Sequence, residues 1–279
     1  MAISASRPSP IAGTWYEGRP AHLAKQIDAY LDRADLPDLP GEVVALIAPH
    51  AGHRYSGAVA AYAFATVRGR TYDLVAVIAP MHHFYPQPLL TTAHRAYLTP
   101  LGEIPVDDLA LNDLNDLLKP DGLNLTPVLN DPEHSLEIEL PFLQRALGGP
   151  FNLLPVMVRS QEPFVSQALG GALAKLLHGR NALLVASTDL SHFYPQEIAK
   201  SLDAEMLRCI ESFSPQAVFE AEQSGRGFAC GHAAVAAVLW AARDLGANQV
   251  KILKHATSGD VTGDYTQVVG YGAAAVLRV

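Results

Sequence analysis

Cysteine, positive charge and long apolar runs are all scarce in this sequence, and each shortage excludes a class of protein. Cys209 and Cys230 are the only cysteines in 279 residues, too few for the disulfide framework of a secreted scaffold. Twenty basic residues against 28 acidic ones leave a net charge of −8. That is the wrong sign for a nucleic-acid partner, which calls for a basic stripe. The longest apolar stretch, "AAVAAVLWAA" at 233–242, is too short to cross a bilayer. The opening residues MAISASRPSPIAGTWYEG lack a charged region followed by an apolar core, so no signal peptide is expected. These shortages predict a soluble cytoplasmic protein with neither nucleic-acid nor membrane partners.

What is abundant is apolar residues, 49% of the chain, enough for a large core. They alternate between helical and strand patterns. A helix is expected from Pro20, a favourable first helical residue, with Leu23, Ile27, Tyr30 and Leu31 on one face. Strand Val43–Ala48, a small-residue helix over 57–67 and strand 73–79 form a βαβ unit, which implies parallel strands and a right-handed crossover. Strands near Leu89–Thr92 and Ala96–Leu98 and a polar helix near Val106–Leu118 follow. The stretch "HSLEIELPFLQRAL" at 134–147 spaces Leu136, Leu140, Leu143 and Leu147 helically, with Pro141 expected to kink or restart the helix. Beyond it come strand Asn152–Val158, helix Pro163–Leu177, strand Ala182–Ala186, helices Gln196–Ser212 and Ala233–Leu245, and strands Gln249–His255 and Val268–Leu277. No repeat or low-complexity linker divides the chain. The expected fold is one α/β domain over residues 1–279, with a mixed, mostly parallel sheet and helices on both faces.

Three of the buried strands run into polar residues. "VVALIAPHAGHRYSG" (43–57) carries His50 and His53, "LVAVIAPMHHFYP" (74–86) carries His82 and His83, and "ALLVASTDLSHFYP" (182–195) carries Asp189 and His192. Open parallel sheets bind ligands beyond the carboxyl ends of their strands, so these side chains are expected at one rim. Two more stretches are candidates for the same site. "DPEHSLE" puts Glu133 and His134 before a helix, a position that also suits plain helix capping. "GFACGHAAVAAVL" puts Cys230 ahead of a helix, where the dipole favours a thiolate, although a small buried thiol is the commoner outcome. Gly227 and Gly231 allow the backbone a close approach there.

Taken together, "PIAGTWY", "APHAG..YSG", "P.HH", "EHSLE.ELPFLQ", "S.DLSH", "CGH" and "TSGDVTGDY" resemble the Memo family, named in bacteria AmmeMemoRadiSam system protein B. The match keeps its order from about residue 10 to the C-terminus. The resemblance implies a fold shared with class III extradiol dioxygenases, which hold non-heme Fe(II) with two histidines and a carboxylate. By position it implies His50 and His82 as metal ligands, Cys230 in place of the carboxylate, and His192 as the acid/base residue. It also implies partners of the radical-SAM and AMMECR type. Two departures stand out: Met81 precedes His82 where many relatives have serine, and His53 occupies a rim position where relatives often carry an aromatic residue.

A His2Cys set suits Fe(II), with Cu or Zn as alternatives, and suits Mg or Ca poorly. Three functions follow. One is an oxygen-dependent or redox metalloenzyme, with Asp189 orienting His192. Another is a binding module, since eukaryotic relatives are regarded as signalling adaptors. In either case a small molecule or peptide would meet Trp15, Tyr16, Tyr55, His83, Glu133 and His134. The third is a metal-free thiol enzyme using Cys230 with His192 and Asp189 as the base pair.

Overall fold

Pro20 does open a helix, and the apolar strand runs do pair into a parallel core. In the computed structural model, which describes residues 5–279, the elements in chain order are β1 (Ser6–Arg7), α1 (Pro20–Arg33), β2 (Glu42–Ala48), α2 (His53–Ala65), β3 (Leu74–Pro80), β4 (Leu89–Thr92), β5 (Ala96–Thr99) and β6 (Gly102–Pro105). There follow α3 (Asp108–Leu118), β7 (Thr126–Val128), α4 (Leu140–Ala146), β8 (Asn152–Val158), α5 (Pro163–Leu177) and β9 (Ala182–Ser187). The chain ends with β10 (His192–Tyr194), α6 (Gln196–Glu211), α7 (Pro215–Gln223), α8 (His232–Asp244), β11 (Gln249–Thr257), α9 (Gly259–Thr262) and β12 (Val268–Arg278). Residues 1–4 of the expected domain lie outside the described residues.

The main sheet has nine strands in the order β10-β12-β2-β9-β3-β8-β4-β7, with β11 also paired to β12. β2, β9, β3 and β8 are mutually parallel, while β12 and β4 pair antiparallel on either side. This is the mixed, mostly parallel sheet expected. A small second sheet joins β1, β5 and β6. Because successive strand residues point to opposite faces, β3 divides its side chains. Leu74, Ala76 and Ile78 join the core under α3, α5, α7 and α8, whereas Val75, Val77 and Ala79 join the core under α1, α2 and α4. The strands are apolar throughout because both of their faces are covered. α5 and α8 pack so closely that a Cβ on Gly170 would sit 2.6 Å from Trp240 Cβ and 2.7 Å from the Ala237 carbonyl. No helix among the described residues is long and apolar enough to cross a membrane.

Three differences from the sequence reading bear on the site. The helix expected at 57–67 begins at His53, one turn earlier, so His53 is not a rim residue. It is 2% exposed, packs its ring against Tyr16 and Phe142, and Nε2 donates to the Ile138 carbonyl at 3.0 Å. The helix expected from residue 134 starts only at a 3-10 turn, Glu137–Glu139, and Pro141 then opens α4 within its first turn. Glu133 and His134 are therefore loop residues rather than helix caps. Finally, β1, β6, β7, β10 and α7 were not anticipated, being short elements whose pairing or packing is tertiary.

Burial lowers the pKa of His53 to about 4, against a small opposing effect of the Ile138 hydrogen bond. Between that value and the ordinary 6.5 the unfolded chain binds the extra proton, so stability is present above pH 6.5 and drains away toward pH 4. His53→Phe should flatten this dependence. The parent-minus-variant difference in unfolding free energy, from urea titrations of metal-free protein at pH 7.0 and 4.5, should change by on the order of 2 kcal/mol. Other shifted groups are common to both proteins and cancel.

Candidate metal centre

His50, Asp189 and His82 each lie two residues beyond the end of a strand, after β2, β9 and β3. Those three strands are adjacent and parallel, so the same offset delivers all three residues to one rim. His134 joins them from the loop before the 3-10 turn. One nitrogen from each of His50, His82 and His134 falls within a mutual 4.8 Å. Their ring centroids are 5.3 Å apart for His50 and His82, 5.5 Å for His50 and His134, and 4.9 Å for His82 and His134.

His50 is the buried member. Its Nδ1 lies 2.9 Å from Ser187 Oγ, and its Nε2 is 3.1 Å from Cys230 Sγ. Burial, followed by the neighbouring His82 and His134, holds its pKa well below the ordinary value, so the ring is neutral at neutral pH. Its backbone N–H donates to Asp189 Oδ1 at 2.8 Å, and the Ala51 N–H does so at 3.3 Å. Burial pushes Asp189 up to about 7 despite those two amides. The expectation that Asp189 orients His192 is corrected here, because its carboxylate fixes the His50 loop. His192 is held by the Leu190 carbonyl, 2.8 Å from its Nδ1. Burial lowers the pKa of His192, leaving a neutral ring whose Nε2 is not engaged by that bond.

Glu133 organises the other two histidines. Oε2 accepts from the His82 N–H at 2.6 Å; Oε1 accepts from His82 Nδ1 at 2.9 Å and from the His134 and Ser135 amides, each at 2.9 Å. Burial would raise this carboxyl, but the bonds from His82 and the Ser135 amide outweigh it and keep it below the ordinary carboxylate range. Glu133 is thus an orienting group, 1% exposed, and not the substrate contact the sequence suggested. The loop is anchored from behind by Arg7. Its guanidinium bonds Asp131 Oδ2 and Oδ1 at 2.9 and 2.8 Å, the Glu133 carbonyl at 2.8 Å and Glu137 Oε2 at 2.5 Å.

Cys230 approaches because its neighbour is glycine. A Cβ on Gly231 would fall 2.3 Å from the Ser187 carbonyl, so any larger residue would push the Cys230 turn off the end of β9. The thiol accepts from the Asp189 N–H at 3.3 Å. Burial, with the Asp189 charge adding to it, pushes the thiol pKa far up. The thiolate expected from the start of α8 is therefore not the resting form of the metal-free protein, because desolvation exceeds the dipole contribution.

Trp15 is half-exposed beside this centre, its ring centroid 4.2 Å from that of His134, whereas Tyr55, similarly exposed, has its ring contact with Arg54. His83 is exposed and outside the three-histidine cluster, as alternation after a strand requires. Tyr16 is not a pocket residue. It is 4% exposed, and its hydroxyl donates to Glu137 Oε1 at 2.8 Å. Ser187, Glu139 and Arg7 escaped the sequence reading. The signal available was a string of acidic residues, Glu133, Glu137 and Glu139, inside an otherwise apolar segment.

Among known proteins, the Memo-like protein family matches residues 7–275. The chain belongs to the Memo family. A MEMO1 family protein of Thermotoga neapolitana is 38% identical over 95% of this chain and 97% of its own length. One from Aeropyrum pernix is 36% identical over 95% and 97%, and one from Nitrosopumilus maritimus 30% identical over 94% and 96%. Among solved structures, an uncharacterized Escherichia coli K12 protein shares the fold with a TM-score of 0.50 at 14% identity. That alignment covers 83% of this chain and 99% of that one.

The Glu133 contacts generate a prediction. Glu133→Gln must present an amide donor to one of four N–H groups that now meet an acceptor. Unfolding free energy should fall by on the order of 3 kcal/mol, as judged from urea midpoints.

Proposed function

We propose that this Memo-family protein is a non-heme metal enzyme for an oxygen-dependent or redox reaction using Fe(II), with Cu as the alternative redox ion; Zn in the same site would supply Lewis-acid chemistry only. The observation that carries the reading is the convergence of three histidine ring nitrogens with a thiol against one of them. The donor set fits such an ion. The Nδ1 atoms of His50 and His82 are occupied by Ser187 and Glu133, which leaves Nε2 of each as the donor. Imidazole and sulfur donors suit Fe, Cu and Zn and are poor for Mg or Ca. In this reading His50 and His82 would hold the ion with Cys230, whose Sγ lies 3.1 Å from His50 Nε2 but outside the three-histidine cluster, and His134 is the donor the geometry offers in its place. The ion, with open positions, would supply Lewis-acid or one-electron chemistry.

The chain's own groups do the remainder. His192, neutral and held at Nδ1, presents Nε2 to take a proton from a substrate hydroxyl. Trp15, half-exposed and against His134, offers a ring face on which a small molecule or peptide side chain can lie. The same ring supports a second reading, a binding module that uses this site without turnover. The metal-free nucleophile reading loses support, because burial and the Asp189 charge raise the Cys230 thiol pKa and disfavour the thiolate.

Elemental analysis of protein purified without chelator tests the assignment. His50→Ala and Cys230→Ser should lose most of their metal, and His83→Ala should keep it. Metal lost in His134→Ala but retained in Cys230→Ser would replace the sulfur ligand by a third imidazole. His192→Ala should retain metal and show no oxygen uptake; loss of metal there would make His192 a ligand instead.

A further inference from the structure

Ser187, the last residue of β9, has one hydroxyl proton and three partners. Its Oγ lies 2.9 Å from His50 Nδ1, 2.8 Å from the Ser135 carbonyl oxygen and 2.7 Å from Glu139 Oε1. A serine hydroxyl donates once and accepts up to twice. The Ser135 carbonyl can only accept, so the Ser187 proton belongs there. The other two partners must then bring protons of their own. We propose that Glu139 is a neutral carboxylic acid whose O–H donates to Ser187, and that this arrangement locks His50 as the Nδ1–H tautomer, with its Nε2 lone pair turned toward the metal site.

The alternatives leave contacts without protons. An ionised Glu139 would take the single Ser187 proton, and the Ser135 carbonyl would then face a bare lone pair at 2.8 Å. Were the hydroxyl to donate to His50 instead, two oxygen partners would be stranded and Nε2 would carry the proton that excludes it as a ligand. The surroundings agree with the neutral acid. Glu139 is fully buried, its Oε2 has no hydrogen-bond partner, and no cation pairs with it among the described residues. A carboxylate there would be an uncompensated buried charge, whereas the acid leaves only a carbonyl oxygen unpaired. Burial, with Asp189 adding to it, drives the carboxyl pKa well above its ordinary value even though the Ser187 bond opposes it. Every proton from Glu139 to the metal side is then placed. Glu139 O–H and His50 Nδ1–H both meet Ser187 Oγ, and the Cys230 S–H faces His50 Nε2 in the metal-free protein. Glu139 is accordingly a positioning residue, acting through Ser187 on His50.

The protonation of Glu139 stands independently of the metal-centre reading; its consequence for metal affinity rests on it. Infrared spectra of metal-free protein carrying 13C-carboxyl glutamate should show a protonated-carboxyl band persisting at about pH 8, where exposed glutamates are ionised. Glu139→Gln should remove that band. In anaerobic Fe(II) titrations Glu139→Gln, whose amide donates to Ser187 in place of the acid, should bind within about threefold of the parent, while Ser187→Ala should bind about 10–100-fold more weakly. A parent spectrum without the band overturns the proposal, as does a Glu139→Gln protein with Fe(II) affinity weakened about tenfold or more. Should Glu139→Gln fail to fold, Ser187→Ala decides. Loss of the acceptor must shift the same band, and an unmoved band refutes the assignment. A parent that keeps the band yet binds no Fe(II) defeats the metal reading alone.

Discussion

The guanidinium of Arg7 holds the segment that carries Glu133 and His134 of the candidate centre. It reaches from β1 into the loop before α4 and occupies the Asp131 carboxylate, the carbonyls of Asp131 and Glu133, and Glu137. Glu133 and His134 lie inside that span, so the conformation that points Glu133 at His82 is the one that satisfies Arg7. A buried ion pair contributes little net stability over an apolar substitute, but removing one partner costs roughly 3–5 kcal/mol because the other charge is left uncompensated. The interaction is therefore better read as selecting one loop conformation than as adding to the core. Tyr97 packs against it, with the guanidinium carbon 4.9 Å from the ring centre.

Much of the fold was legible because it rests on two periodicities. Strand β8 and helix α5 fall on the residues the pattern assigned, and β3 and β9 differ only at their ends. These are long elements whose own residues carry the signal. The errors fall where a neighbour decides. β10 is three residues that count as a strand only because β12 lies beside them, and β1 exists through its pairing with β5. The early start of α2 was hidden because "HRYS" looks polar, yet His53 and Ser56 are turned inward and buried.

His50 and His82 of the candidate centre were legible, whereas His134, read as a substrate contact or a helix cap, and the groups that orient the rings were not. Histidines after apolar strands are conspicuous, and the sheet brings His50 and His82 together as their offset implies. Which group would hold each ring could not be read. Asp189, near His192 in sequence, turned to the His50 backbone, and a backbone carbonyl, which leaves no mark in a sequence, took its place. Glu133 looked like a helix-start residue until the strands behind it were placed.

The common two-residue step from strand end to site residue after β2, β3 and β9 carries a consequence for how this chain tolerates changes in length. A single residue inserted or deleted between Ala48 and His50, or between Pro80 and His82, would leave the sheet and both cores intact while turning the imidazole to the far side of its loop. Such a chain would fold and circulate as a full-length protein with no centre. In the rim loops it is chain length, more than residue identity, that binds this architecture to its chemistry.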